Sequence, residues 1–294
     1  MLTKTIPENY LAVTAVLFSS AMWGLIWYPM RILDQAGMSA VWASLVMYLA
    51  AGSVALPFMI KKRFFSNITA DLIWISLAAG VTNVAFLTAL IEGEVMRVML
   101  LFYLSPIWSV LLGRWWLGER LSPMAIVMFC LAIVGSLIML WDPSIGWPWP
   151  SGLGDWLAII GSVAFSINNV LARKLGDVSM IMKVGSIWWG VVLVSAVILL
   201  IQNAAMPVVT PSVWLGAIGI GLFGMIAMNI AVLYGLARMP VYRAAVIMLF
   251  ELVVAALSAW WLTEEVMSVQ EWIGGVLILG AGYGVTKFEI AVNE

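Results

Sequence analysis

Long apolar runs, separated by short polar or Pro/Gly-marked breaks, fill the chain from Tyr10 onward. A run of about twenty apolar residues, rising roughly 1.5 Å per residue in a helix, crosses the roughly 30 Å hydrocarbon layer of a bilayer. The pattern predicts ten helices, over residues 10–31, 38–60, 71–91, 95–114, 123–141, 154–174, 180–201, 211–236, 241–262 and 270–288. Backbone N–H and C=O groups surrounded by lipid must bond within their own segment, so runs of this length are helical. A transmembrane barrel would show clean apolar/polar alternation in short pieces, and none is present. The predicted fold class is therefore an all-α integral membrane protein. Only Glu92, Gly93 and Glu94 separate the third and fourth runs, which predicts a tight hairpin.

Composition agrees with the pattern. Hydrophobic residues make up 64% of the 294 and charged residues 10%, against about 25% charged in soluble domains. Lipid is the solvent that accommodates so much apolar surface. The net charge of −1 argues against a nucleic-acid partner, whose phosphates require clustered cations. Cys130, the single cysteine, excludes an intrachain disulfide, and the absence of histidine removes the usual proton shuttle and the commonest metal ligand. No phosphate-binding P-loop occurs, so ATP is not the expected driver, and neither cofactor nor metal is expected. No small-residue cleavage site closes the first run, which is expected to stay in the mature chain.

Charge placement then orients the runs. With a cytoplasmic N-terminus, the inner loops receive Lys4, Lys61, Lys62, Arg63, Arg114, Arg120, Arg173, Lys174, Lys183, Arg238, Arg243 and Lys287, and the outside receives only Arg31 and Arg97. Cytoplasmic loops carry the excess of Lys and Arg. The expectation is a multi-pass protein of the bacterial inner membrane with both termini cytoplasmic. The sequon Asn67-Ile68-Thr69 falls in an inner loop, out of reach of glycosylation.

One stretch occurs twice. Trp115-Trp116-Leu117-Gly118-Glu119 is echoed by Trp260-Trp261-Leu262-Thr263-Glu264, a shift of 145, or of 146 if Asn83 is matched to Asn229 and Glu119 to Glu265. The second copy lacks the cations Arg114 and Arg120 of the first. Five runs per half is an odd number, so the second half enters the membrane inverted and its copy lies on the face where cations are avoided. The predicted organisation is one membrane domain of two opposed five-helix repeats, residues 1–148 and 149–294. Inverted repeats that exchange conformations give a midplane site alternate access to the two sides.

Ten runs, Trp23-Gly24 in the first, a proline-containing fourth run ending in Leu117-Gly118-Glu119, and its echo resemble the drug/metabolite transporter superfamily, the EamA-type exporters most of all. The resemblance covers nearly the whole chain. It implies a transporter exporting small metabolites, often amino acids or related compounds. Thr263 stands where the second copy would carry glycine, and Leu252, after Glu251, where the family often has proline. These departures leave the register of the ninth run open.

Few polar groups lie at depth. Glu251 falls near the middle of the ninth run, where a charged carboxylate costs on the order of 2.5–3.5 kcal/mol on insertion scales. It suits three roles: a partner for a cargo ammonium, a proton-coupling group, or a neutral carboxyl bridging two helices. Asn83, Asn168, Asn169 and Asn229 need partners in lipid and suit either helix packing or cargo contact. Mid-depth Trp27, Tyr48, Tyr103, Trp108 and Trp188 could wall a cavity for a flat apolar cargo. Trp74, Trp115, Trp116, Trp147, Trp149, Trp156, Trp214, Trp260, Trp261 and Trp272 lie near run ends and read as an interfacial belt. Ala217/Gly221 and Gly280/Gly284 have the spacing of close helix contacts, and kinks are expected near Pro29, Pro106 and Pro240. Arg31 and Asp34 read as a surface pair, and Glu119 as the residue that secures a short turn.

Three functions compete. An intramembrane serine protease would need a base where histidine is absent, and the aspartates lie at run ends. A passive channel would need a filter-like loop or a ring of charges. A secondary transporter needs only the inverted repeat and a central site. The expected cavity is lined by Trp27, Tyr48, Asn83, Tyr103, Trp108, Asn169, Asn229 and Glu251 and binds a small-molecule cargo, with uniport and proton coupling both open.

Overall fold

The computed structural model describes residues 8–62, 68–142, 149–264 and 266–292. Lys4, Arg63, Asn67, Trp147 and Glu265, which enter the topology, belt and repeat arguments above, lie outside them. Among the described residues every regular element is helical. The first half comprises α1 (Glu8–Leu25) with α2 (Trp27–Gln35), α3 (Ala40–Lys61), α4 (Ala70–Glu92), α5 (Val95–Phe102) with α6 (Ser105–Trp116), and α7 (Pro123–Leu140). The second half comprises α8 (Leu153–Lys174), α9 (Met180–Ile201), α10 (Pro211–Gly219) joined to α11 (Ile226–Leu236) by a π-helical segment (Ile220–Met225), α12 (Val241–Met248) with α13 (Phe250–Leu262), and α14 (Val269–Val292). Among the described residues, nine continuous segments are long and apolar enough to cross a membrane, the last being Val241–Leu262. The tenth predicted run forms α14.

Three predicted runs are interrupted rather than straight, and the π-helical segment widens a fourth. The fourth run breaks at Tyr103 and Leu104, ahead of Pro106 in the first turn of α6. Proline has no N–H to donate, and its ring crowds the carbonyl four residues back, here that of Phe102, the last residue of α5. Pro29 has the same relation to Leu25, where α1 ends. The ninth run breaks at Leu249 with no proline to cause it. There span one approaches closely: a Cβ on Gly24 would lie 2.5 Å from the backbone oxygen of Glu251. Pro240 sits just outside α12, as its N-cap.

Backbone approaches fix the helix directions. Gly135 meets Gly274, and Gly284 meets Met128, so α7 and α14 run antiparallel. Gly93 against Gly154 and Gly161 against Phe86 make α4 and α8 antiparallel. Gly80 and Gly190 approach each other, with Ser76 near Gly190 and Val194 near Gly80, so α4 and α9 are parallel. The tightest approach is at Gly190, where a Cβ would sit 2.1 Å from the backbone oxygen of Ser76. Each relation is the one that successive crossings of alternating direction require.

Helix ends find local partners. The Thr69 and Ser122 side chains accept from Leu72 N and Ala125 N, capping α4 and α7. The Asp155 carboxylate accepts from Ser151 N and Gly152 N at the start of α8. Trp115, Trp149, Trp156, Trp260, Trp261, Trp272 and Trp74 are exposed on the outer surface. The expected Arg31–Asp34 pair does not form: no ion pair within 4 Å joins them, because both side chains project from exposed positions where water solvates them.

Candidate functional site

The two interrupted runs of greatest interest cross at their breaks. Tyr103, at the end of α5, donates its hydroxyl to Glu251 Oε1 at 2.6 Å, and Gly113 of α6 faces Val241 of α12. The pairs 103/251 and 113/241 mean that α5–α6 and α12–α13 run antiparallel. The helix ends left by the two breaks surround a cavity of about 20 Å³ lined by Phe102, Tyr103, Ser105, Pro106, Ser109, Phe165, Asn169, Ala245, Met248, Leu249 and Glu251. That is room for about one water and not for a metabolite.

Helix ends give this small space its chemistry. The first turns of α6 and α13 carry the positive ends of helix dipoles, which favour negative charge. Ser166 Oγ donates to the buried carbonyl of Ser105 at 2.8 Å, tying span six to the first turn of α6. Ser109 Oγ is buried and has no partner among the described residues. Phe102 packs on Phe86, Tyr103 and Phe165, with ring centroids 4.3, 5.9 and 5.8 Å away. The cavity therefore offers a carboxyl group, helix N-termini with a spare hydroxyl, and an aromatic wall.

Either end of this crossing is closed by contacts between the halves. At one end Gly118 adopts φ +69, a left-handed turn that glycine tolerates. The turn folds Glu119 back so that Oε2 accepts from Val241 N at 2.8 Å, capping α12 of the opposite half. Arg173 Nε stands 3.8 Å from Glu119 Oε1, and its Nη1 donates to Ala237 O. Burial pushes the Glu119 carboxyl above the ordinary carboxylate value, against the Val241 and Tyr242 amides and the Arg173 guanidinium, which pull it down. At the other end Arg97 of α5 donates to Ser151 Oγ at 3.0 Å and lies 3.6 Å from Asp155 and 3.4 Å from Glu94. Beside it, Gly93 and Gly154 bring the backbones of α4 and α8 into contact.

Of the eight residues nominated from sequence, the cavity brings together Tyr103, Asn169 and Glu251. Asn229 donates to Met225 O, and its side chain lies beside the buried Tyr48. Asn83 accepts from Ser44 Oγ at 2.7 Å. Ser44 and Tyr48 are one turn apart on α3, so Asn83 and Asn229 both lie against span two. Trp27 Nε1 donates to Ser258 Oγ at 2.9 Å, and Trp108 Nε1 is buried without a partner among the described residues. Neither tryptophan lines the cavity.

The sequence pattern does not pick out Ser105, Ser109 or Phe165, common residues at unremarkable spacing. It does carry a signal for the helix ends. Val95-Met96-Arg97 and Val241-Tyr242-Arg243 match at the shift of 146, and each opens the first segment of an interrupted run.

The EamA-like transporter family matches the chain over residues 10–141 and 152–286. Comparison with curated proteins finds no match. Among solved structures 29 chains match. One, described as "Crystal structure of protein", has a TM-score of 0.74 and 18% identity, over 96% of this chain and 99% of its own. At that identity the likeness is one of fold.

Proposed function

Because the chain belongs to the EamA-like transporter family, and is thus a multi-pass membrane transporter of small solutes, we propose that it exports amino acids by alternating access. The favoured cargo has an aromatic or other neutral side chain, as for the aromatic amino acid exporter YddG. In this reading α14 is the tenth span, residues 1–148 and 149–294 are inverted halves, and both termini are cytoplasmic in a bacterial inner membrane. The helix directions and the shared break positions of spans four and nine support it.

The observation that carries the proposal is the Tyr103–Glu251 hydrogen bond at the crossing of two broken antiparallel helices. Discontinuous helices at the midplane expose N-termini to anionic cargo groups and carbonyl ends to cationic ones. Once the halves part and the cavity widens, a zwitterion places its ammonium on Glu251 and its carboxylate at the first turn of α6, beside Ser105 and Ser109. An aromatic side chain then packs on Phe102 and Phe165. As the halves separate, Trp27, Tyr48, Asn83, Trp108 and Asn229 line the widened path. Glu251 holds either a proton or the ammonium, which couples export to the proton gradient. Contacts across both ends of the crossing weigh against a passive channel.

The test is flux in proteoliposomes with a panel of labelled amino acids, nucleobases and sugars, with and without a pH gradient. Glu251→Gln is expected to lower amino-acid flux by about tenfold to a hundredfold, the worth of a hydrogen bond to a charged group, and to abolish the response to the gradient. Equal flux and equal pH response in wild type and variant would remove Glu251 from the mechanism. An impermeant maleimide should label Arg31→Cys but not Lys61→Cys in intact cells; the reverse would invert the topology.

A further inference from the structure

Away from the crossing, a groove of about 430 Å³ opens on the membrane-facing surface. Its walls are Leu25, Ile26, Tyr28 and Pro29 from the break in span one, Gly219, Ile220, Phe223 and Gly224 from the widened part of span eight, and Leu262. Phe223 is 79% exposed and Tyr28 37%. The volume lies within the range of about 300–1,000 Å³ typical of small-molecule sites, but the lining offers almost nothing polar, which excludes an amino acid. The π-helical segment makes the groove. It widens span eight over Ile220–Met225, and Gly219 and Gly224 leave gaps beside the Ile220 and Phe223 side chains. A Cβ on Gly219 would meet nothing within 4 Å.

One turn beyond Tyr28, and three residues on along the same face of α2, stands Arg31. It is exposed, and it forms no ion pair within 4 Å with any described acid, including Asp34 and Glu264 near the same membrane surface. A cation in that position is the exception to this chain's charge distribution. Arg97, the other exception, is held by Asp155, Glu94 and Ser151. Arginine matches phosphate geometry through its planar fork of donors.

We infer that this groove with Arg31 is a glycerophospholipid site, an acyl chain lying against spans one and eight and the phosphate on Arg31. Lipid tails are as apolar as the groove walls, so the tail gains little by leaving one apolar setting for another. Selectivity therefore comes from the headgroup, which makes Arg31 the residue to test. The site depends on the chain crossing a membrane and not on what it transports. Only its assignment to the outer leaflet rests on the orientation proposed above, and the Arg31→Cys labelling reads that separately.

The experiment uses the full-length protein in maltoside micelles with trace phosphatidylglycerol carrying a diazirine at the end of one acyl chain, beside the matching diacylglycerol. Cross-linked peptides are mapped by mass spectrometry, with the exposed Phe58 and Ile73 as reference surface. The phospholipid probe is expected to label Leu25–Pro29 and Gly219–Gly224 at least fivefold more than the diacylglycerol does. Arg31→Gln should erase that preference and Arg31→Lys should keep most of it. Gly219→Leu, which fills the groove from an open position, should cut labelling there by both probes and leave the reference surface unchanged. Equal labelling by the two probes, labelling of the groove no greater than of the reference surface, or an unaltered preference in Arg31→Gln would each overturn the site.

Discussion

Glu119 shows what a single side chain contributes at the junction of the halves. Its carboxylate closes the exposed N-terminus of α12, and a lost cap costs roughly 0.5–2 kcal/mol. Glu119→Ala is therefore expected to lower the midpoint of thermal unfolding in detergent at every pH tested. Glu119→Gln behaves differently. A carboxyl raised by burial binds a proton on folding, so its linked stabilisation is complete below the unfolded value and is lost as pH rises through the folded one. The Gln variant, which cannot ionise, should gain on wild type over that window and match it most closely in acid; a constant difference would mean the carboxyl is not shifted. Tyr103 gives a second test at this scale. Tyr103→Phe removes the donor to Glu251 and should reduce flux by about tenfold, while the pH-gradient response persists because the carboxyl remains. A flux equal to wild type would show that the hydroxyl only fills space.

At the level of elements, packing rests on glycines that let helices touch. Gly190→Ala forces a methyl onto the carbonyl of Ser76 and is expected to cost about 1–3 kcal/mol, read as a drop in thermal midpoint and a loss of monodisperse protein on gel filtration; unchanged stability would mean that α4 and α9 separate freely. The spans were legible in the sequence because lipid leaves no choice but helix for a long apolar run. The hairpin at Glu92-Gly93-Glu94 was legible for its length, and the break at Pro106 for its chemistry. The break at Leu249 was not. No residue of span nine causes it, and the close approach of span one at Gly24 belongs to tertiary structure. Tyr103 and Glu251 were visible as polar groups at depth in separate runs, but their pairing depends on the antiparallel crossing. Trp27 and Trp108 have the depth expected of cavity residues but do not line the small cavity of this structure, because depth along a helix says nothing of which side a residue takes. Ser109 carries no sequence signal at all; only its burial without a partner marks it.

For the whole molecule, the alternating access proposed above predicts that the contacts at the two ends of the crossing govern which way the halves open. The Arg97 cluster and the Glu119–Arg173 cluster sit at opposite ends, so weakening either should bias the protein toward opening there. A contact worth about 1 kcal/mol shifts a two-state population about fivefold. With Cys130→Ser as background and Ser109→Cys as reporter, Arg97→Gln should raise maleimide labelling from the outside about fivefold and Arg173→Gln from the inside. Labelling that rises from the same side in both variants would dissociate the clusters from gating. The Glu119 cap also bears on biogenesis. Its oxygen and the Val241 amide are 122 residues apart in the chain, so the ribosome completes Glu119 long before its partner is made. Throughout that interval the nascent first half carries the Glu119 carboxylate without the amide it caps and Tyr103 without its acceptor. Every product truncated before span nine lacks both contacts, so neither can hold the first half in its final arrangement until span nine is in place.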